Sequence, residues 1–126
     1  MCSDSRFTAL GINHSVVLRT TRRNAKIVIG SDTGVSGGTI CAEQSIIIGN
    51  ECLIGANVTL VDNDFHAITA NGRRFNNNES DISAAPVVIS NNVFLGAQSI
   101  ILKGVVVGEN SIVGAGTILT SNVDAD

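Results

Sequence analysis

Large aliphatic residues recur along this chain at a fixed interval of six. From Ile89 the stations run Leu95, Ile101, Val107, Val113 and Leu119. Two residues before the later stations stand Val93, Ser99, Val105, Ser111 and Thr117, with Val123 continuing the series, all small or β-branched. Residues two apart share a face of a strand, so both series point inward and the residue between them points out. A helical period of 3.6 does not accommodate stations spaced strictly by six. Three further residues turn a corner, and glycine follows a station at Gly96, Gly108 and Gly114, supplying backbone angles that other residues reach at a cost. The predicted element is a short strand plus a corner, repeated.

The first half follows the same rule with one slip. Ile29, Val35 and Cys41 are spaced by six, with Thr33, Thr39 and Ser45 as small partners; Ile48 comes one residue late, and Ile54 and Leu60 resume the step. The slip predicts a widened corner near Ala42-Glu43-Gln44. Ile12 and Leu18 suit the same step, and Arg19 to Asn24 reads as an irregular corner. Units that bury their apolar face only against neighbours form a solenoid. Its interior is filled with Ile, Val and Leu, so chemistry must sit outside, on a loop or between chains. The organisation expected is one β-helix domain over residues 1–126, interrupted at about 61–86.

Composition narrows the reading. The 126 residues carry 13 Gly, one Pro, four Phe and neither Trp nor Tyr, which favours short strands and frequent turns. A net charge of −3 with scattered Lys and Arg lacks the clustered basic face of a nucleic-acid binder. No apolar run is long enough to span a membrane, and the segment Met1 to Arg6 is too polar for a secretory signal, so a cytoplasmic protein with reduced cysteines is expected. Cys2, Cys41 and Cys52 lack metal-ligand spacing. Cys41 and Cys52 are expected at inward, structural positions.

The interruption, Val61 to Pro86, is polar and rich in Asn, and a long loop inside a regular repeat is usually functional or disordered. It holds Asp62, Asn63, Asp64 and His66. An imidazole accepts a proton near neutral pH, as an acyl transfer requires of the group that deprotonates the acceptor. On local residues alone two readings stand: a general base oriented by Asp62 or Asp64, or a solvated loop histidine. His14 reads as a surface corner residue. Arg73 and Arg74 are solvated loop charges or contacts for an anionic acceptor or CoA phosphates.

The run from Asn92 to Gln98 and from Gly104 to Thr120, with Ile54-Gly55-Ala56-Asn57 leading to Asp62-Asn63-Asp64-Phe65-His66, resembles the hexapeptide-repeat acetyltransferases, in particular the galactoside and maltose O-acetyltransferase branch. The resemblance covers about Ala25 to Thr120. It implies a left-handed parallel β-helix of triangular section, an all-β fold with one extruded loop, assembled as a homotrimer with sites between chains. It implies His66 as general base, with Asp62, Asn63, Asp64 and Phe94 on the acceptor side and acetyl-CoA as co-substrate. Backbone groups at Gly96, Ala97, Gly114 and Ala115 would hold the pantetheine arm, and Thr120 would contact CoA further along. No metal is implied, and the acceptor expected is a small molecule, a sugar hydroxyl foremost. Relatives commonly carry Lys where this chain has Ser121, and continue past the residues matching Asn122 to Asp126 into a basic segment near the CoA phosphates. Against that pattern three expectations stand: a truncated form, a weak CoA binder, or a chain that uses Lys103 or arginines instead. A non-catalytic β-helix with a weakened CoA site is the competing reading. A zinc site built on three histidines, as in γ-class carbonic anhydrases, does not fit a chain with two.

Overall fold

The computed structural model describes residues 11–126; Cys2 and the polar stretch Met1 to Arg6 lie outside them. Among the described residues, thirteen short strands wind into a three-sided prism. The first face stacks β1 (Val17–Thr20), β4 (Thr39–Ala42), β7 (Thr59–Val61), β10 (Ile100–Ile101) and β13 (Ile118–Leu119). The second stacks β2 (Lys26–Ile29), β5 (Ser45–Ile48), β8 (Val87–Ile89) and β11 (Val106–Val107). The third stacks β3 (Gly34–Val35), β6 (Leu53–Ile54), β9 (Phe94–Leu95) and β12 (Ile112–Val113). All ladder pairings between these strands are parallel. The architecture is the expected parallel β-helix, consistent with the left-handed winding that the resemblance implies.

Register explains why the six-step pattern was readable. Ile100 pairs with Ile118, Val88 with Val106 and Phe94 with Ile112, an advance of 18 residues, or three six-residue units, per coil. Each inward station therefore sits on its counterpart one coil away. Leu60, Ile101, Ile89, Leu95 and Val107 are fully buried. Fully burying each such side chain contributes about 1.5–3 kcal/mol, so the stacked column is the main source of stability. Corner positions with positive φ are stacked too: Asp32, Glu51, Asn92 and Asn110 at one edge, Gly37, Asn57, Gln98 and Gly116 at another. Asn recurs there because it tolerates the left-handed region better than most side chains.

The first half differs from the sequence reading in one respect. The inward station of β4 is Ile40, which pairs with Leu18 and Leu60 and is fully buried, not Cys41. The irregularity is two opposed changes. The corner between Val35 and Ile40 is one residue short, and the corner between Ile40 and Ile48 is two residues long. The short corner uses Gly37 at φ 67° and Gly38, where an added Cβ would lie 2.9 Å from the Val58 carbonyl oxygen. With the station moved, Ile46 rather than Ser45 fills the inward place before Ile48. Cys41 is still buried, but lies between Arg19 and Val61 in the ladder and outside the core cluster. Cys52 occupies the inward position expected of it, its thiol directed 3.1 Å to the Ser90 carbonyl oxygen.

Candidate functional site

The repeat breaks where expected, between the end of β7 at Val61 and the start of β8 at Val87, at the edge joining the first and second faces. The loop leaves and returns through a narrow stem. Asn63 and Ala84 form an antiparallel bridge, Ala85 donates its N–H to the Asp62 carbonyl at 2.9 Å, and Asp64 donates to the Ser83 carbonyl at 3.1 Å. Inside the loop, Asn side chains replace the missing ladder. The Asn76 side-chain oxygen accepts the Asn78 N–H at 2.8 Å, and that of Asn78 accepts the Ser80 N–H at 3.1 Å. Such local turns are why an Asn-rich segment holds a shape without a core. Two 3₁₀ turns, Arg73–Phe75 and Glu79–Asp81, complete it.

Asp62 is fully buried, and its position is a structural one. One carboxylate oxygen accepts the Glu43 N–H at 2.7 Å and the Asn63 side-chain amide at 3.0 Å; the other accepts the N–H groups of Gln44 at 2.7 Å and Ser45 at 2.9 Å. The widened corner at Ala42-Glu43-Gln44 thus has a specific cause, three backbone donors closed by one buried carboxylate. Asp64 binds the Lys103 ammonium with both oxygens, at 2.8 and 2.9 Å. Neither carboxylate orients His66, which corrects the sequence expectation, and Lys103 is committed to Asp64 instead of being free for a phosphate.

His66 is held by its neighbours on either side. Phe65 adopts φ 61°, a left-handed conformation uncommon for a bulky residue, with its N–H on the Asn63 side-chain oxygen at 2.8 Å. Ala67, on the other side, is buried. The exposed imidazole between them lines an open concavity of about 710 Å³ with Ala70, Gly72, Arg73, Arg74 and Phe75. Arg22 fastens the far side of the loop to the first coil, pairing with the buried Glu43 and donating to the Glu79 carbonyl. The roles of Arg22, Glu43 and Phe65 were not legible in the sequence. Arg22 and Glu79 lie 57 positions apart, and nothing local signals their contact.

The remaining candidates sit elsewhere on the prism. Phe94 is 43 % exposed on the third face, stacked between Leu53 and Ile112. Gly96, Ala97, Gly114 and Ala115 follow at the edge joining the third and first faces, stacked coil on coil. Gly96 donates its N–H to the Val113 carbonyl at 2.8 Å, and an added Cβ there would lie 2.5 Å from the Ala115 nitrogen. At Gly114 the space is open, the nearest atom being the Thr117 hydroxyl oxygen at 3.6 Å. Thr120 is exposed just past β13, on the edge that carries the loop. His14 is exposed at a corner, its Nδ1 2.7 Å from the Ser15 carbonyl oxygen. Burial raises the pKa of the Cys41 thiol; Asp62 adds to the rise and Arg19 opposes it. That lowers the thiolate fraction at neutral pH below that of a free cysteine.

Comparisons with known proteins match this division between stack and loop. The family model described as the hexapeptide repeat of succinyl-transferase matches residues 27–61 and 86–121 and leaves out the extruded loop. The galactoside O-acetyltransferase of Escherichia coli strain K12 is 34% identical over 88 residues, 68% of this chain and 39% of that protein. A 2,3,4,5-tetrahydropyridine-2,6-dicarboxylate N-acetyltransferase of Staphylococcus aureus is 51% identical over 43 residues, 34% of this chain and 18% of that protein. The chain thus spans about two-fifths, or less, of the curated relatives it matches. Among solved structures, a galactoside acetyltransferase in complex with coenzyme A superposes with a TM-score of 0.71 at 29% identity, covering 86% of this chain and 52% of that one. With its repeat matched on both sides of the loop, this chain belongs to the hexapeptide-repeat transferase family.

Proposed function

We propose that this chain is an acetyl-CoA-dependent O-acetyltransferase in which His66 is the general base. The observation that carries the reading is the placement of His66, exposed beside a concavity on the loop that leaves the β-helix between β7 and β8, held by a left-handed Phe65 and a buried Ala67. The coenzyme A complex of the similar galactoside acetyltransferase supports the donor. In the reaction His66 removes the acceptor hydroxyl proton as the oxygen attacks the thioester carbonyl carbon. The C–S bond then breaks, and the departing CoA thiolate takes the proton. Direct transfer needs the acceptor oxygen held close to that carbon, which is the task of a rigid scaffold.

Phe94 on the third face, and the proposed donor contacts at Gly96, Ala97, Gly114 and Ala115 on its edge with the first, lie apart from the His66 edge. In our reading a neighbouring chain closes the gap, and the site forms between subunits of a homotrimer. Outward-facing apolar ladders support that association: Val28, Ile47, Val88 and Val106 on the second face, and Leu53, Phe94 and Ile112 on the third. Leu53 is 59 % exposed and Ile112 75 %, surface that favours burial against a partner. Asn63, Asp64 and Phe94 line the acceptor side in this reading, with Asp64 fixed by Lys103; Asp62 shapes the corner beneath them. Thr120 is assigned a more distant CoA contact. Cytoplasmic acetyl-CoA fits the expected location, and among the described residues no helix is long and apolar enough to cross a membrane.

The test is acetyl-CoA titration by calorimetry with sedimentation to fix subunit number, followed by thiol release with sugar acceptors. Saturable binding to a trimer, retained in His66→Ala while transfer is lost, is the expected result. A folded trimer that does not bind millimolar acetyl-CoA refutes the enzyme reading and leaves a non-catalytic β-helix.

A further inference from the structure

Cations that meet the base of the extruded loop are neutralised there. Lys103 binds Asp64, and Arg22 binds the buried Glu43. Arg73 and Arg74, which line the concavity beside His66, are different. Among the described residues neither has a carboxylate partner. Arg73 spends one terminal nitrogen on the Ile68 carbonyl at 2.8 Å, and Arg74 lies 5.9 Å from the centroid of the Phe75 ring. Two of the loop's acids are engaged elsewhere: Asp81 accepts the Asn76 side-chain amide at 3.0 Å, and Asp64 holds Lys103. A guanidinium carries five N–H donors in a planar fork, so most of this pair's hydrogen-bonding capacity stays unused, next to the imidazole.

Two adjacent like charges in one concavity repel, and a protein with acids in the same loop had partners at hand. We propose that the acceptor is anionic: a hydroxyl compound that also carries a carboxylate or phosphate, held by Arg73 and Arg74 so that its hydroxyl faces His66. The proposal rests on the acetyl-transfer reading for the role of His66, but the anion site is testable without turnover. The exposed Phe75 ring, 82 % accessible beside the pair, offers an apolar surface for the body of such an acceptor. Charge-assisted hydrogen bonds from the two forks give discrimination that a neutral acceptor does not gain.

The experiment uses the full chain and three sugars: methyl glucoside, methyl glucuronide and glucose 6-phosphate. Binding is measured by calorimetry, and CoA-thiol release is measured at saturating acetyl-CoA. The expected result is that at least one charged sugar outperforms the neutral one by about tenfold or more. Which charged sugar wins identifies the anion. Arg73→Gln combined with Arg74→Gln should remove that preference, and the charged sugar's apparent affinity in the parent protein should weaken with added salt. Equal or better use of the neutral sugar overturns the proposal while leaving acetyl transfer intact. A larger effect of the double variant on acetyl-CoA affinity than on the charged sugar also overturns it, by assigning the arginines to the donor. Arginine-dependent binding of a charged sugar with no transfer supports the anion site and counts against the acetyltransferase reading instead. No binding of either charged sugar, in protein shown to be folded, overturns the anion site.

Discussion

Residues 87–119 and residues 62–85 solve the same problem in opposite ways. In the first stretch almost every coil is a copy of the one beneath it, and backbone groups find partners one coil away: Ile100 on the Thr117 carbonyl, Phe94 on the Ser111 carbonyl, Val88 on the Val105 carbonyl. In the second stretch no neighbouring coil exists at the same level. Its backbone is closed by Asn63, Asn76 and Asn78, and its base by the buried carboxylate of Asp62. Stability therefore resides in the stack, and the candidate base in the loop. The two should respond separately to substitution.

The largest expected effect breaks the loop's function and spares the stack. His66→Ala should lower acetyl transfer by about 10²–10⁴-fold, the usual contribution of a positioned base, with the melting temperature unchanged because the imidazole is exposed. A melting temperature that falls with activity would show His66 to be structural. The reverse pattern is expected at the junction. Asp62→Ala leaves the N–H groups of Glu43, Gln44 and Ser45 without their acceptor at a largely buried corner and should cost about 3 kcal/mol in denaturant unfolding. Loss of activity at unchanged stability would instead place Asp62 in the chemistry.

Two smaller effects sharpen the view of the stack. Gly96→Ala should cost about 2–3 kcal/mol, because its Cβ would meet backbone at 2.5 Å, whereas Gly114→Ala, in open space, should change stability by less than about 0.5 kcal/mol. Equal costs would show that coil stacking does not govern these corners. The smallest effect is at Ser99, whose buried hydroxyl has no hydrogen-bond partner among the described residues. Ser99→Ala should be neutral or stabilising by up to about 1 kcal/mol. Clear destabilisation would reveal a partner for that hydroxyl.

The second half of the stack was legible residue by residue, since its period and strand parity both appear in the order of Leu95, Ile101, Val107 and Val113. The first half was legible only in outline. Glycines at 37 and 38 shortened one corner as Asp62 widened the next, so a single slip concealed two shifts and Cys41 took the place of Ile40 as the inward station. In the loop, His66 stood out as the one histidine in a polar interruption. Its supposed carboxylate partners did not follow, because adjacency in sequence says little about direction once backbone angles such as those of Phe65 intervene.

The sequence by itself determined the six-residue unit and the point where the repeat opens, because a solenoid repeats short-range contacts and each unit carries its own instructions; that three units make one coil was implied by the family resemblance and is seen in the register. Only the tertiary structure decided what the polar residues do. Asp62 turned inward to close a corner, Lys103 reached across 39 positions to Asp64, and Arg73 and Arg74 were left without an acid. Apolar burial is written in a period, but charge pairing depends on which side chains the finished fold brings within a few ångströms, and no local pattern records that distance.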